Sequence, residues 1–195
     1  MNPNSYGRIE NRHVRWGAGA VQRLDPEGVR TVIDAGCGTG QVTALLLEHL
    51  PNASVIALDN SRQMLAEAAQ RLSIAVATGR IELVHADLNE RLPFDLPVDA
   101  IFSTATFHWI ADHERLFNNL ARVLAPGGQL VAQCGGAGQS WCGGTHFATV
   151  EDTQFRLQSA GFVDIEVWLD KLPIDPKVDY VRLNIVARRS ADLFA

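Results

Sequence analysis

The sequence has few cysteines, no apolar run long enough to cross a membrane and no excess of positive charge. Each shortage removes a class of protein. Cys37, Cys134 and Cys142 are odd in number and form no CxxC pair, so no disulfide framework is indicated and a reducing cytoplasm is the expected compartment. Cys134, Cys142 and His146 are neighbours in sequence, but structural zinc takes four ligands with tighter pair spacing, so no metal is expected. A membrane helix needs about 20 consecutive apolar residues, and the polar start MNPNSYGRIENRHVRW has no signal-peptide core. Acidic residues outnumber basic ones, 22 to 17, for a net charge of −5, which argues against a surface built to follow a phosphate backbone. The tightest basic pair, Arg188-Arg189, reads as the solvated end of a strand. Neither membrane nor nucleic acid is therefore expected as a partner.

What is present is an alternation. Short β-branched runs take turns with amphipathic stretches of helical period, the pattern of βαβ units and a mostly parallel sheet. The 195 residues suit one domain able to bury about 70% of its unfolded surface. The expected strands are Thr31–Ala35, Ser54–Asp59, Ile81–Ala86, Val98–Ala105, Gln129–Cys134, Asp164–Leu169 and Tyr180–Ala187. Helices are expected over Thr43–Leu50, from Ser61 through Leu72, over Asp112–Leu124 and over Glu151–Ala160. Ser61, Asp112 and Thr149 read as their N-caps. Pro126-Gly127-Gly128 reads as a turn, and Gly135–His146, with five glycines in twelve residues, as a loop.

The most informative segment is Asp34-Ala35-Gly36-Cys37-Gly38-Thr39-Gly40, between an expected strand and an expected helix. Open α/β sheets bind ligands beyond the carboxyl ends of their strands, where strand order reverses. Glycines there let the backbone approach a ligand and adopt positive φ. The spacing is G-x-G-x-G. A dinucleotide fingerprint, G-x-G-x-x-G, would need its last glycine at position 41, which is Gln41. That disfavours a nicotinamide cofactor and a dehydrogenase. Three acids sharpen the reading: Asp34 before the glycines, Asp59 closing the next strand about 20 residues on, where an acid grips ribose hydroxyls, and Asp87 closing the third.

With VIDAGCGTGQVT (32–43), VIALDNSRQMLAEA (55–68), IELVHADL (81–88), VDAIFSTATFHWI (98–110), LARVLAPGGQLV (120–131) and AGFVDIEVW (160–168) in order, the chain resembles the class I methyltransferase superfamily, which uses S-adenosylmethionine. Within it the sequence is most similar to the trans-aconitate methyltransferase-like group, chiefly through FHWIADHERLFNNLARVLAPGG and the following QCGG. The resemblance implies an α/β three-layer, doubly wound, Rossmann-like sheet of seven strands in the order 3-2-1-4-5-7-6, the last antiparallel. It also implies one domain, 1–195, comprising an N-terminal helical segment (1–30), a cofactor-binding half (31–135) and a shortened C-terminal half (136–195). Gly36, Cys37, Gly38 and Gly40 would pass the methionine and ribose, Asp34 would face the amino end, and Asp59 would hold the ribose diol. Asn60 and Met64 would lie along the adenine, and Asp87 and Leu88 at its edge. Thr104 and Ala105 would lie under the sulfonium, with His108 and Trp109 beyond as the catalytic pair. Tyr6, Arg12 and Trp16 fall where an N-terminal helix would cover the cofactor.

Plainer readings stand beside these. Met64 fits an apolar helical stripe, Trp109 a hydrophobic anchor, His108 a structural histidine, Cys37 a small filler, and Asp34 and Asp59 helix caps. The resemblance also has a gap. Related proteins carry substantial helical inserts after the fifth and sixth strands, whereas here about fifteen residues (135–149) and Asp170–Asp179 fill those places. The reading is a small-molecule methyltransferase, transferring to a carboxylate or hydroxyl oxygen, with His108 as the base where one is needed. The alternative is a non-catalytic S-adenosylmethionine- or S-adenosylhomocysteine-binding core. Nucleic-acid methylation is disfavoured because STATFHW replaces the Asn/Asp-Pro-Pro-aromatic segment. A shortened cap would expose apolar surface, so self-association as a homodimer is also expected.

Overall fold

The computed structural model describes residues 14–94, 97–136, 146, 148–175 and 178–191, without the side chains of 171–180. Tyr6, Arg12, Cys142 and most of the glycine-rich stretch after Gly136 lie outside them.

A first helix, α1, covers residues 14–21. There follow β1 (Thr31–Ala35), α2 (Gln41–His49), β2 (Ser54–Asp59), α3 (Arg62–Arg71), α4 (Ser73–Ala77), β3 (Ile81–His85) and β4 (Val98–Thr104). A 3-10 turn at Phe107–Trp109 leads to α5 (His113–Val123), β5 (Leu124–Gly135), α6 (Val150–Ser159), β6 (Phe162–Asp175) and β7 (Val178–Arg189). The strands form one sheet in the order β3-β2-β1-β4-β5-β7-β6. All neighbours are parallel except β7, which is antiparallel to both β5 and β6. The anticipated order and the antiparallel last strand are both present.

Both faces of this sheet are covered, which is why its strands read as unbroken apolar runs. Side chains alternate between two cores. Val32, Ala100, Phe102 and Val131 face Ala20 and Val21 of α1, Leu24 in the turn after it and Leu46 of α2. Their neighbours Ile33, Ile101, Leu130 and Ala132 face Leu116, Phe117 and Leu120 of α5 and Leu157 of α6. Capping holds three helices in place: Ser61, Asp112 and Thr149 accept from the backbone N–H groups of Met64, Arg115 and Asp152. At the base of the sheet, Asp99 Oδ2 accepts from the N–H groups of Arg30 and Thr31, both at 2.9 Å, and sets the register of β1 against β4.

Three expectations need correction. Asp170–Asp179 is not an insert between strands: these residues lengthen β6 and β7 into a hairpin whose strands end at Asp175 and restart at Val178. The apolar run of each strand stops earlier, but backbone pairing continues through Lys171↔Val181 and Leu172↔Tyr180. Strand β5 begins at Leu124, paired with Val98, and Pro126-Gly127-Gly128 is an irregularity inside it rather than a turn before it. Finally, the helix after Ser61 breaks at Leu72 into α3 and α4, leaving Ile74 81% exposed.

Candidate active site

Strand order reverses between β1 and β4, whose carboxyl ends therefore open a crevice. The glycine segment leaves β1 at this point. The N–H groups of Gly36 and Cys37 both donate to Leu58 O at 2.9 Å, folding the turn back over the end of β2. The Gly38 N–H donates to Asp59 Oδ2 at 2.9 Å, while Asp59 Oδ1 accepts from the Ser61 N–H at 2.8 Å. Asp59 thus braces the glycine turn against the start of α3, and each oxygen keeps a second lone pair.

The glycines differ in what requires them. Gly36, at φ 84°, packs so closely on Thr106 that a Cβ would overlap its side chain. Gly40, at φ 77°, starts α2 and lies against Leu72. Gly38 also has positive φ, 55°, yet its missing Cβ points into space with nothing within 4 Å. The turn is thus closed on two sides and open at its middle glycine.

Asp34 lies beneath, 2% exposed, with Oδ2 accepting from Thr43 Oγ1 at 2.7 Å. Burial raises its pKa to about 6, opposed by the Thr43 hydrogen bond and assisted by the charge of Asp59. Among the described residues no cation forms a salt bridge with it. Cys37 is buried, its thiol pushed well above the ordinary range by desolvation and by Asp34 and Asp59, so it stays protonated.

The remaining sequence candidates gather at the same sheet end, in different states. Asn60 is exposed, and Met64 is 40% exposed rather than part of a core stripe. Asp87 is exposed at the end of β3, with Oδ1 accepting from both the backbone and the side-chain N–H of Asn89 at 2.8 Å. The Leu88 side chain is buried in the core, so only its backbone, held through O by Asn119 Nδ2 at 3.2 Å, can border a ligand. Thr104 is half-buried at the tip of β4. Ala105, at φ 54°, then bends the chain out of the sheet. His108 and Trp109 follow on the 3-10 turn, their rings 5.2 Å apart, with Trp109 56% exposed.

Several supporting residues have no signature in the sequence. Thr106 Oγ1 donates to Thr104 O at 2.9 Å and Gly36 O at 3.3 Å, tying the glycine turn to the end of β4. His113 Nε2 donates to Phe107 O at 3.0 Å and pins the 3-10 turn. Burial lowers the His113 pKa, with the Phe107 carbonyl opposing. Cys134, under the same turn, is held protonated by burial, its pKa pushed up to about 12. Trp16 of α1 lies under the Arg182 guanidinium of β7 at 5.5 Å. Arg182 bonds Asp170 at 3.2 Å, Asp170 accepts from Asn184 at 2.9 Å, and Asn184 Oδ1 accepts from Arg23 and Gln133, both at 2.8 Å. Only partners far apart in sequence reveal this network.

With a sheet of this order, a G-x-G-x-G turn at its switch point, acids in the last two positions of β1 and β2, and the matches that follow, the chain belongs to the S-adenosylmethionine-dependent methyltransferases. A family model described as a methyltransferase domain matches residues 32–128. More particularly, the chain is similar to trans-aconitate 2-methyltransferase of Acidovorax sp. (strain JS42), with 40% identity over 132 residues, 68% of this chain and 48% of that protein. It spans about half the length of the curated relatives it matches. Among solved structures it is similar to a methyltransferase complexed with the Haloferax volcanii Trm112 methyltransferase activator, with TM-score 0.78 and 22% identity, covering 96% of this chain and 95% of that one. It is also similar to an S-adenosylmethionine-dependent methyltransferase from Mesorhizobium loti, with TM-score 0.68 and 27% identity, covering 90% of this chain and 98% of that one.

Proposed function

We propose that this chain transfers a methyl group from S-adenosylmethionine to an oxygen of a small carboxylic acid, in the manner its trans-aconitate 2-methyltransferase relatives suggest. The observation that carries the reading is the open middle of the glycine turn above a buried Asp34 that forms no salt bridge among the described residues. A buried carboxylate without a counter-charge is unfavourable unless a ligand supplies one, and the ammonium of an amino-acid cofactor is a fitting charge. The residues present fit the cofactor. Gly36, Gly38 and Gly40 would border its amino-acid and ribose parts, Asp59 would use its second lone pairs on the diol, and Asn60, Met64, Asp87 and the Leu88 backbone would border the adenine.

When bound, the cofactor supplies an electrophilic methyl on a sulfonium. The protein supplies alignment and exclusion of water. Thr104 and Ala105 form the floor at the tip of β4, and His108 and Trp109 stand on the acceptor side. A carboxylate needs no base, since its attacking lone pair is already free. A hydroxyl acceptor is the other candidate within the same class of transfer.

Calorimetry with S-adenosylmethionine and S-adenosylhomocysteine, followed by methylation assays on small carboxylic acids and alcohols, tests this. Binding with turnover of an acid is expected. A folded protein without affinity for either compound would overturn the reading. The β6–β7 connection is short, with only positions 176 and 177 between the strands. That favours a second reading, a core that binds the cofactor without chemistry, and binding without turnover of any acceptor would establish it.

A further inference from the structure

We infer that His85 is a positioning residue for the cofactor: acting through a single peptide unit, it aims the Asp59 carboxylate that would take the ribose diol. The consequence for binding rests on the proposed methyl transfer, whereas the brace itself is read from the hydrogen bonds. Strand β3 is an outer strand of the sheet, and its last residue, His85, lies in register beside Asp59, the last residue of β2. The Ala86 N–H donates to Asp59 O at 3.2 Å, at the end of that ladder. Beyond it a side chain takes over from the backbone. His85 Nε2 lies 3.0 Å from Asn60 O. A carbonyl oxygen only accepts, so the ring donates through Nε2.

Asn60 O and the Ser61 N–H belong to one planar peptide unit, so fixing one end fixes the direction of the other. The Ser61 N–H donates to Asp59 Oδ1 at 2.8 Å, and the Gly38 N–H donates to Asp59 Oδ2 at 2.9 Å. The bonds therefore run in one direction, from the His85 ring through the Asn60–Ser61 peptide to the carboxylate. Each polarises the next, so the ring strengthens the Ser61 donor as well as orienting it. Without His85, the exposed Asn60 carbonyl would turn to water and the peptide plane could rotate. Asp59 would then lose one of the two fixed donors that set the direction of its remaining lone pairs.

The glycine turn has supports of its own. The Gly36 and Cys37 N–H groups both donate to Leu58 O at 2.9 Å, and the Gly40 N–H donates to Cys37 O at 3.0 Å. Arg71 Nε, from the last turn of α3, donates to Thr39 O at 3.0 Å. Loss of the His85 bond should thus release the Asn60–Ser61 peptide and leave the path of the turn in place. A residue that merely closed the end of β3 would not act so selectively.

Three forms of the full chain test this. They are wild type, His85→Phe, which keeps a ring without the donor, and His85→Gln, whose amide nitrogen can occupy the Nε2 position. Calorimetry with S-adenosylhomocysteine should show Kd about three- to tenfold weaker in His85→Phe. In His85→Gln affinity should return to near the wild-type value. Amide hydrogen exchange without ligand gives a second readout: in His85→Phe the Ser61 and Gly38 amides should exchange faster, with those of Gly36 and Cys37 unchanged. Unaltered affinity in His85→Phe, no rescue in His85→Gln, or equal acceleration at all four amides would each overturn the inference. If wild type itself does not bind S-adenosylhomocysteine, the proposed function falls, and exchange at Ser61 and Gly38 still decides whether His85 braces the peptide.

Discussion

Asp34 is asked to be both buried and charged, and the two demands conflict. Its folded pKa of about 6 lies above its ordinary 3.8, so the folded state binds this proton more tightly than the unfolded chain does. Stability from this group is greatest below about pH 4 and is lost as pH rises through 6. Asp34→Asn, which can still accept from Thr43, should therefore stabilise the ligand-free protein at pH 8 by on the order of 3 kcal/mol. Urea denaturation should show little gain at pH 4, and calorimetry should show cofactor affinity reduced more than tenfold. The glycines separate in the same way. Gly36→Ala meets Thr106 and should cost more than about 2 kcal/mol in stability. Gly38→Ala meets nothing and should cost only about 1–2 kcal/mol for its left-handed backbone, yet weaken cofactor binding more strongly than it weakens the fold. Thermal melts and cofactor titrations of the two variants check this. The glycines and acids were legible because they are recurrent chemical signs at a strand end. The exposure of Met64 and the burial of Leu88 were not, since both read equally well as members of an apolar helix or strand face.

Among the elements, the 3-10 turn after β4 shows how a local conformation is imposed from outside. Phe107 is buried, Ala105 is left-handed, and the turn is closed by a histidine from the following helix. Burial lowers the His113 pKa, so this group's contribution is present above its ordinary pKa of 6.5 and lost as pH falls below it. Its direction is opposite to that of Asp34. His113→Gln should remove the loss of stability on acidification below pH 6.5 and leave the Asp34 gain exposed; urea titrations at closely spaced pH values would show it. A steeper acid loss in the variant would sink the assignment. The strand periods and the caps Ser61, Asp112 and Thr149 were readable because they depend on neighbours three or four positions away. The extended β6–β7 hairpin was not, because its outer rungs use backbone pairing without an apolar alternation.

Over the whole molecule, α1 and the C-terminal hairpin are tied by charge. Arg23 and Arg182 converge on Asp170 and Asn184, and each guanidinium lies over an indole, that of Trp168 at 4.9 Å and that of Trp16 at 5.5 Å. Arg182 Nε is buried without a hydrogen-bond partner among the described residues. Asp170→Asn would leave two part-buried cations facing each other and should destabilise the fold by about 1–3 kcal/mol. Hydrogen exchange should show α1 amides losing protection before those of β1 and β4; uniform loss would show that the network does not secure α1. Nothing in the spacing of Arg23, Asp170 and Arg182 announces this, since they are separated by more than a hundred residues or by a hairpin. The linear order of residues decided the alternating strands and helices, the glycine turn with its flanking acids, and the family, because those depend on short-range periodicity and backbone freedom. Only the packed molecule decided which groups lost water and which side chains far apart in sequence, such as Arg23 and Asn184, come to meet. Burial and cross-strand pairing arise between segments that the chain itself keeps apart.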